Sequence, residues 1–240
     1  MVVQAISDAA PINHELLLDS GRSIQYVAAK SSMSAMIKSA YPRRKNSNGQ
    51  KDQVGWEGVS SICSAMDHIL EIDMDSDFFE RKSVLEVGFT TALPAVYAFE
   101  NGASDITIHA MDEPSAKLYC DPTVTRNKIP KTRSKVTHGS IEDIRHKLSG
   151  KKFDVIIAVD VLNRDKSEFN VLHEVLNEIL ADDGIILLSC HTYYPETNGT
   201  LAGFLHIVKS RHYFDAIERW TSPETDILQK KVYQLTRSRY

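Results

Sequence analysis

The chain has 240 residues, of which 42% are hydrophobic and 25% charged, an ordinary composition for a globular protein with one full core. Its formal net charge of −4 argues against a general attraction to nucleic acids or acidic membranes. Its three cysteines form no C-x-x-C pair, so neither a metal site nor a disulfide framework is predicted. The start of the chain has no apolar signal core, and no run reaches the length of a membrane span. The expected location is therefore the cytoplasm, the nucleus or both.

The first 55 residues are predicted to be an N-terminal extension, followed by a single domain over residues 56–240. Within the extension, residues 23–36 indicate a strand followed by a short helix. Residues 42–53, PRRKNSNGQKDQ, are polar, basic and glycine-containing. This composition predicts a flexible loop, with a specific RNA contact as the weaker alternative.

From residue 57 onward, helices and strands alternate. Apolar residues recur at helical spacing over residues 57–70. Strands are predicted at residues 83–87, 105–109, 135–138, 153–159 and 184–190, and helices at residues 93–101, 113–124, 141–148, 167–180 and 201–210. The runs FDVIIAV and GIILLSC are nearly all apolar, which is typical of parallel strands buried on both faces. Two last strands, at residues 214–220 and 228–236, have no helix between them. The sequence therefore predicts an α/β doubly wound sheet that ends in an antiparallel hairpin.

The segment VLEVGFTTALP, residues 84–94, combines a buried strand, an acidic residue, a glycine loop and the start of a helix. With the elements around it, the segment resembles the first unit of the seven-stranded Class I methyltransferases. Residues 85–112, 120–129 and 153–194 resemble more narrowly the histidine protein methyltransferase 1 family, also called the methyltransferase-like protein 18 group. The resemblance covers about residues 55–236 and implies a Rossmann-like seven-stranded sheet with S-adenosyl-L-methionine as cofactor.

Four residues of the glycine loop are candidates to bind the methyl donor. Glu86 is expected to stabilise the donor's ammonium group, directly or through backbone and water, unless it is an ordinary strand-end carboxylate. Gly88 is expected to allow close backbone approach, because a Cβ there would intrude on the ligand. Thr90 and Ala92 stand where a G-x-G-x-G loop has glycine, and Ala92 is tolerable if its φ stays negative.

Three further residues are expected to hold the nucleoside part of the donor. Asp112 follows the second parallel strand, where a carboxylate would accept hydrogen bonds from the ribose hydroxyls. The alternative for Asp112 is a helix N-cap. Ser140 and Ile141 follow the third parallel strand, where such proteins often hold the adenine ring. Ser140 and Asp143 also have the spacing of a helix capping box.

The acceptor side of the site is predicted at the end of the fourth parallel strand. Asp160 takes the position of an acidic residue in the family and is expected to accept a proton or a hydrogen bond from the acceptor nitrogen. A plain edge or helix-cap role is the alternative. Asn163, at the family's tyrosine position, is expected to help place the acceptor. His191, Tyr193 and Tyr194 follow the fifth strand, and packing roles are the favoured interpretation for them, with placement of the acceptor by Tyr193 or His191 as the alternative.

The resemblance implies a protein methyltransferase with histidine as acceptor and a large-subunit ribosomal protein as a typical substrate. No membrane partner and no direct nucleic-acid binding are expected. The basic segment 126–135 is interpreted as a solvated loop, with a contact to ribosomal RNA or to an acidic partner as the weaker alternative. Two departures favour an alternative, a non-catalytic binding module. The glycine loop is reduced to Gly88, and the family's tryptophan-glutamate-cysteine signature is missing from the helix before the first parallel strand, where Trp56-Glu57-Gly58 only loosely resembles its lead-in. Methylation of lysine is a third, weaker option.

Overall fold

The structure, a computed structural model, describes residues 11–29, 49–148, 150–224, 226 and 228–239. Its strands are β1 (Pro11–Leu17), β2 (Ser23–Ala29), β3 (Ser83–Gly88), β4 (Asp105–Ala110), β5 (Ser134–His138), β6 (Phe153–Val159), β7 (Leu180–His191), β8 (Phe214–Thr221) and β9 (Lys230–Arg237). Its α-helices are α1 (Gly49–Glu71), α2 (Leu93–Glu100), α3 (Glu113–Ser115), α4 (Asp121–Arg126), α5 (Ile144–Lys147), α6 (Phe169–Ile179) and α7 (Leu201–Arg211). A π turn, Ala116–Cys120, joins α3 to α4. None of these helices is long and apolar enough to cross a membrane.

The main sheet has the strand order β5-β4-β3-β6-β7-β9-β8. Strands β3 to β7 pair in parallel, whereas β9 pairs antiparallel with both β7 and β8. The predicted doubly wound sheet and its antiparallel C-terminal hairpin are therefore confirmed. The order of strands reverses between β3 and β6, and the carboxyl ends of these strands form a crevice of the kind where open α/β sheets bind ligands.

Two hydrophobic layers enclose the sheet. Helices α1, α2 and α4 cover one face, and α5, α6 and α7 cover the other. Alternate residues of β6 divide between the layers: Val155 and Ile157 belong to the first core, Ile156 and Ala158 to the second. A central strand with both faces buried favours apolar residues on both sides, which explains why β6 is apolar at every position from Val155 to Val159.

The N-terminal part differs most from the prediction. Strand β1 was not expected, because a histidine, His14, stands between Ile12 and Leu16 on its inward side and its other side is polar or exposed. Strand β2 is confirmed, but the short helix predicted after it lies outside the described residues. The predicted loop at residues 42–53 also lies outside them up to residue 48. Its last five residues instead belong to α1, which runs unbroken across the predicted boundary at residue 55.

The β1–β2 hairpin is fixed to the main domain. Arg126 of α4 donates from Nη1 to the carbonyl oxygens of His14 and Tyr26, at 3.1 and 2.9 Å. The Tyr26 ring lies 5.4 Å from the Trp56 ring of α1, which in turn meets the ring of Phe89 at 5.8 Å. The hairpin therefore forms a cover that reaches the loop after β3.

Candidate functional site

The loop between β3 and α2 is organised around one buried carboxylate. Glu86 is fully buried, and its Oε1 accepts the N–H groups of Thr91 and Ala92 at 2.8 and 3.0 Å. Its Oε2 accepts the N–H of Ala95 at 3.0 Å. Burial raises the pKa of Glu86 to about 7, against the opposing effect of these three N–H donors. Glu86 thus satisfies the open N-terminus of α2 and fixes the loop. In this arrangement the buried Glu86 carboxylate does not reach a ligand directly, whereas it can act on a ligand through the backbone that it holds.

Gly88 is needed for a reason other than the predicted one. Its φ is +91°, and a Cβ there would lie 2.0 Å from the carbonyl oxygen of Val159 and 2.7 Å from Cγ1 of Val161. The side of Gly88 that was expected to face a ligand therefore faces the neighbouring strand β6. Glycine is required here by the close approach of two strand ends and by the left-handed backbone.

Ala92 also departs from expectation, because its φ is +64° rather than negative. A left-handed alanine is strained, and it persists because the loop is held on both sides. The loop therefore keeps a conformation that glycine favours, although the glycine is absent. Thr90 is buried in the same loop, and the Cys120 thiol of the π turn lies 3.6 Å from its carbonyl oxygen.

Asp112 lies at the surface beyond the carboxyl end of β4, the neighbour of β3. Its Oδ1 accepts the Ser115 N–H at 2.7 Å, so the alternative N-cap role is confirmed. A cap uses one carboxylate oxygen and leaves the other at the surface, so the predicted ribose contact stays a prediction that is compatible with the cap.

The turn after β5 contains the two residues expected near the adenine. Ser140 donates its N–H to Asp143 Oδ2 at 2.9 Å, and its hydroxyl accepts the Asp143 N–H at 3.4 Å, which confirms the capping box. Ile141 packs into the second core, so Ser140 is the exposed member of the pair. His109 of β4, which the sequence did not single out, holds this turn: its Nε2 lies 2.9 Å from the Ser140 carbonyl oxygen. A carbonyl only accepts, so Nε2 carries the hydrogen.

On the acceptor side, Asp160 is part of a buried polar cluster. Its φ is +50°, and its Oδ1 accepts the Tyr194 hydroxyl. The same Oδ1 lies 3.5 Å from Nδ1 of His191, and Nε2 of His191 lies 3.2 Å from Oε2 of Glu57 on α1. The side chains of Asp160 and His191 are only 2% and 3% exposed. The imidazole at the end of β7 therefore stands between two carboxylates, one directly after β6 and one on α1.

The charges in this cluster support one another. Burial alone would lower the pKa of His191, but the neighbouring Asp160 and Glu57 outweigh it and raise that pKa to about 9. Burial raises the pKa of Asp160, although His191 and Tyr194 act in the opposite direction. Near neutral pH, His191 is therefore a cation that holds both carboxylates. Glu57 is 18% exposed and lies 4.0 Å from the Lys230 ammonium, so the cluster extends from the interior to the surface.

Helix α1 covers the second oxygen of Asp160. A Cβ on Gly58 would lie 2.6 Å from Asp160 Oδ2, so only glycine leaves space for this carboxylate. Within the described part of the chain, Oδ2 has no hydrogen-bond partner, and the same holds for the buried Ser189 Oγ. A buried carboxylate oxygen without a donor is costly, and such atoms mark places where a further hydrogen-bond donor is accommodated.

Asn163 lies at the rim of this cluster. Its Oδ1 accepts the Thr197 hydroxyl at 3.3 Å, and its N–H donates to the Asp160 carbonyl oxygen at 3.1 Å. The structure thus brings Asp160 and Asn163 together, as expected. Sequence reasoning gave packing roles to His191 and Tyr194, and it gave none to Glu57. No spacing could have paired Glu57 with His191, which lies 134 residues further along the chain.

The two halves of the site meet through the backbone. The N–H of Phe89, directly after Gly88, donates to the Val159 carbonyl oxygen at 2.8 Å, and Asp160 is the next residue. The loop that follows β3 therefore lies beside the acidic cluster that follows β6. This is the crevice at which the strand order reverses.

Comparisons with known proteins concern the family and the fold of this chain. The chain is 51% identical over 240 residues to the Caenorhabditis elegans protein named Uncharacterized protein F22B7.9, with 99% of this chain and 98% of the relative covered. It is 29% identical over 144 residues to a Dictyostelium discoideum protein named Histidine protein methyltransferase 1 homolog, which covers 58% of this chain and 46% of that relative. No protein-family model matches the chain.

Among solved structures, the magnesium protoporphyrin IX methyltransferase ChlM from Synechocystis PCC 6803, with bound S-adenosylmethionine, has a TM-score of 0.58 at 12% identity. The match covers 86% of this chain and 91% of that chain, so it describes the whole architecture and shows the fold alone. The chain therefore belongs to the family of the C. elegans protein F22B7.9, and its fold is that of the Class I methyltransferases.

Proposed function

We propose that this chain is an S-adenosyl-L-methionine-dependent protein methyltransferase with a histidine side chain as acceptor. The observation that carries the proposal is the Phe89–Val159 hydrogen bond of 2.8 Å, because it sets the donor loop beside Asp160. The name of the Dictyostelium relative supports histidine as acceptor, and the fold supports the donor. A large-subunit ribosomal protein is the first substrate to test, as the family resemblance implies.

The donor side fits this cofactor. Gly88 and Ala92 keep the left-handed turns of a ligand-binding loop, and Glu86 holds the loop amides in place. The exposed carboxylate of Asp112 has an oxygen that the cap does not use, which suits the ribose hydroxyls. Ser140 would border the adenine. When bound, the cofactor supplies an electrophilic methyl group on a sulfonium centre.

The acceptor side suits a nitrogen that carries a hydrogen. Asp160 Oδ2 is a buried acceptor without a donor, so an imidazole N–H would satisfy it. His191 and Tyr194 hold the other oxygen and thereby fix the carboxylate. Because an imidazole titrates near neutral pH, positioning contributes more than strong base strength. Gly58 covers Oδ2, so the first turns of α1 must move before an acceptor can reach it.

Calorimetric titration with S-adenosylmethionine and S-adenosylhomocysteine tests the donor site. We expect micromolar binding that Asp112→Ala weakens by about tenfold, while Asp121→Ala, also exposed but on α4, changes it little. Transfer of a labelled methyl group to large-subunit ribosomal proteins, mapped by mass spectrometry, tests the acceptor. If millimolar cofactor produces no heat of binding and no thermal shift, the proposal is contradicted.

One observation favours a second candidate, a non-catalytic binding module. The Glu86 carboxylate accepts hydrogen bonds from three backbone N–H groups in the loop and the first turn of α2, and α1 covers the Asp160 side chain. Both halves of the crevice are therefore closed to a ligand. Restoring glycine at Thr90 and Ala92 separates the candidates. A large gain in cofactor affinity would show that the native loop is impaired, whereas unchanged micromolar binding would favour the enzyme.

A further inference from the structure

A group of cations without carboxylate partners lies far from the candidate site. Segment 126–135 contains Arg126, Lys128, Lys131, Arg133 and Lys135. None of the five forms an ion pair with a carboxylate among the residues that the structure describes, whereas nearby Lys151 and Lys152 pair with Asp105 and Asp182. On a chain of net charge −4, such a group is a local reversal of sign.

Three of these cations line one open cleft of about 550 Å³. The cleft lies at the amino ends of β4 and β5, the opposite end of the strands from the donor loop. We call it the basic cleft and define it by Lys131, Arg133, Lys135, Lys151 and the hydroxyl-bearing residues Thr132 and Ser134. Its lining also includes the Asp105 carboxylate, which pairs with Lys151, so three cations of the cleft have no carboxylate partner among the residues that the structure describes.

One wall of the basic cleft is rigid. Arg133 donates from Nη2 to the carbonyl oxygen of Ala103 at 3.0 Å, and its guanidinium lies 4.8 Å from the centre of the Phe99 ring. By contrast, the Lys131 and Lys135 side chains are exposed, and the hydrogen bond of the Lys135 ammonium within the described residues is one of 3.5 Å to the Lys147 carbonyl oxygen. The cleft therefore offers two ammonium groups to an incoming anion beside a wall that is already ordered, which limits the entropy lost on binding.

We propose that the basic cleft binds an acidic, extended segment of a partner protein. Exposed ion pairs are individually weak, so the segment must carry several carboxylates to bind measurably. Among the described residues that line the cleft there is no aromatic side chain, and single-stranded nucleic acids depend on such platforms for base stacking. The proposal goes beyond methyl transfer, because a partner held here does not lie against the donor loop and Asp160, which are at the other end of the strands.

Fluorescence anisotropy of a fluorescein-labelled peptide with glutamate at every second position and glycine between tests the proposal. In low salt, we expect Lys131→Glu/Lys135→Glu to weaken peptide binding by about tenfold or more. The matched control is Lys166→Glu/Lys209→Glu, which changes the net charge equally at exposed lysines elsewhere. The control should stay within about twofold of the wild type, because its charges are remote from the cleft.

Two results would overturn the proposal. Equal loss of binding in both double variants would mean that net charge, not the basic cleft, attracts the peptide. Tighter binding of an oligouridine RNA of the same net charge, lost in Lys131→Glu/Lys135→Glu alone, would assign the cleft to nucleic acid. Lys131→Ala/Lys135→Ala provides the milder variant if charge reversal disturbs folding. None of these measurements depends on cofactor binding, so they stand apart from the test of the proposed activity.

Discussion

The two halves of the crevice hold a buried carboxylate in opposite ways. Glu86, on the donor side, is satisfied by backbone N–H groups five, six and nine residues further along the chain. Asp160, on the acceptor side, depends on Tyr194, 34 residues away, and on a histidine that is itself held by Glu57 of α1. The donor loop is therefore shaped by its own sequence, whereas the acceptor cluster exists only once α1, β6 and β7 are packed together.

The largest effect is expected when the donor side loses its central group. Glu86→Ala leaves three buried N–H groups without an acceptor, which we expect to lower the free energy of unfolding by about 4 kcal/mol. Urea denaturation measures the change. Glu86→Gln keeps one acceptor oxygen and should lose about half as much. Equal stability of Glu86→Ala and the wild type would show that the loop does not depend on this carboxylate.

On the acceptor side, the protonation of His191 should make the free energy of unfolding depend on pH. The pKa of His191 is raised to about 9 in the folded chain, so its stabilisation is complete below the unfolded value near 6.5. It is lost as pH rises through 9, a change of about 3 kcal/mol. His191→Gln cannot titrate and should lack this loss. Parallel pH profiles for the two proteins, measured by denaturation from pH 6 to 10, would refute a protonated His191.

A double-mutant cycle tests the contact between α1 and the acceptor cluster. Gly58→Ala places a Cβ on Asp160 Oδ2, and overpacking of this kind costs about 2 kcal/mol. Alanine is also the better helix former by about 1 kcal/mol, so the net loss is about 1 kcal/mol.

In an Asp160→Gly background the clash is absent and glycine accepts the positive φ, so Gly58→Ala should become stabilising. The expected coupling is about 2 kcal/mol, obtained from four denaturation curves. Additive effects would mean that α1 does not rest on Asp160.

The smallest effects separate the two positions that lack glycine in the donor loop. Ala92→Gly relieves a left-handed alanine and should raise the free energy of unfolding by about 0.5 kcal/mol, since the added chain entropy offsets part of the gain. Thr90, which is not in the left-handed region, should instead lose about 1 kcal/mol on change to glycine, because its buried side chain is removed. The same sign for both changes, in thermal denaturation, would contradict this distinction.

The same contrast explains which parts of the fold and of the site could be predicted from the sequence. Strands of the main sheet were predicted to within a few residues, because the central parallel strands are mostly apolar and the helices between them are periodic. The start of β7 was placed four residues late, since the added residues Leu180 to Asp183 are partly polar. The π turn was not expected either, because its residues continue a helical pattern.

For the site, sequence reasoning identified the residues that end strands, because strand ends are visible in one sequence. It placed Asp160 in the crevice, but it attributed the need for Gly88 to a ligand rather than to β6, and the condition it set for Ala92, a negative φ, is not met. Both depend on how closely the neighbouring chain approaches. The link from Glu57 to His191 needs knowledge of tertiary packing, which no local pattern contains.

The attachment of the β1–β2 hairpin has a consequence for synthesis of the chain. Arg126 binds the carbonyl oxygen of Tyr26, which leaves the ribosome 100 residues earlier. At ordinary elongation rates the hairpin waits roughly 5–20 s for its anchor. We expect it to be sensitive to proteases on nascent chains that stop before α4 and protected on chains that extend well past it. The hairpin thus reaches its place only after the segment that anchors it, 100 residues further along the chain, has been made.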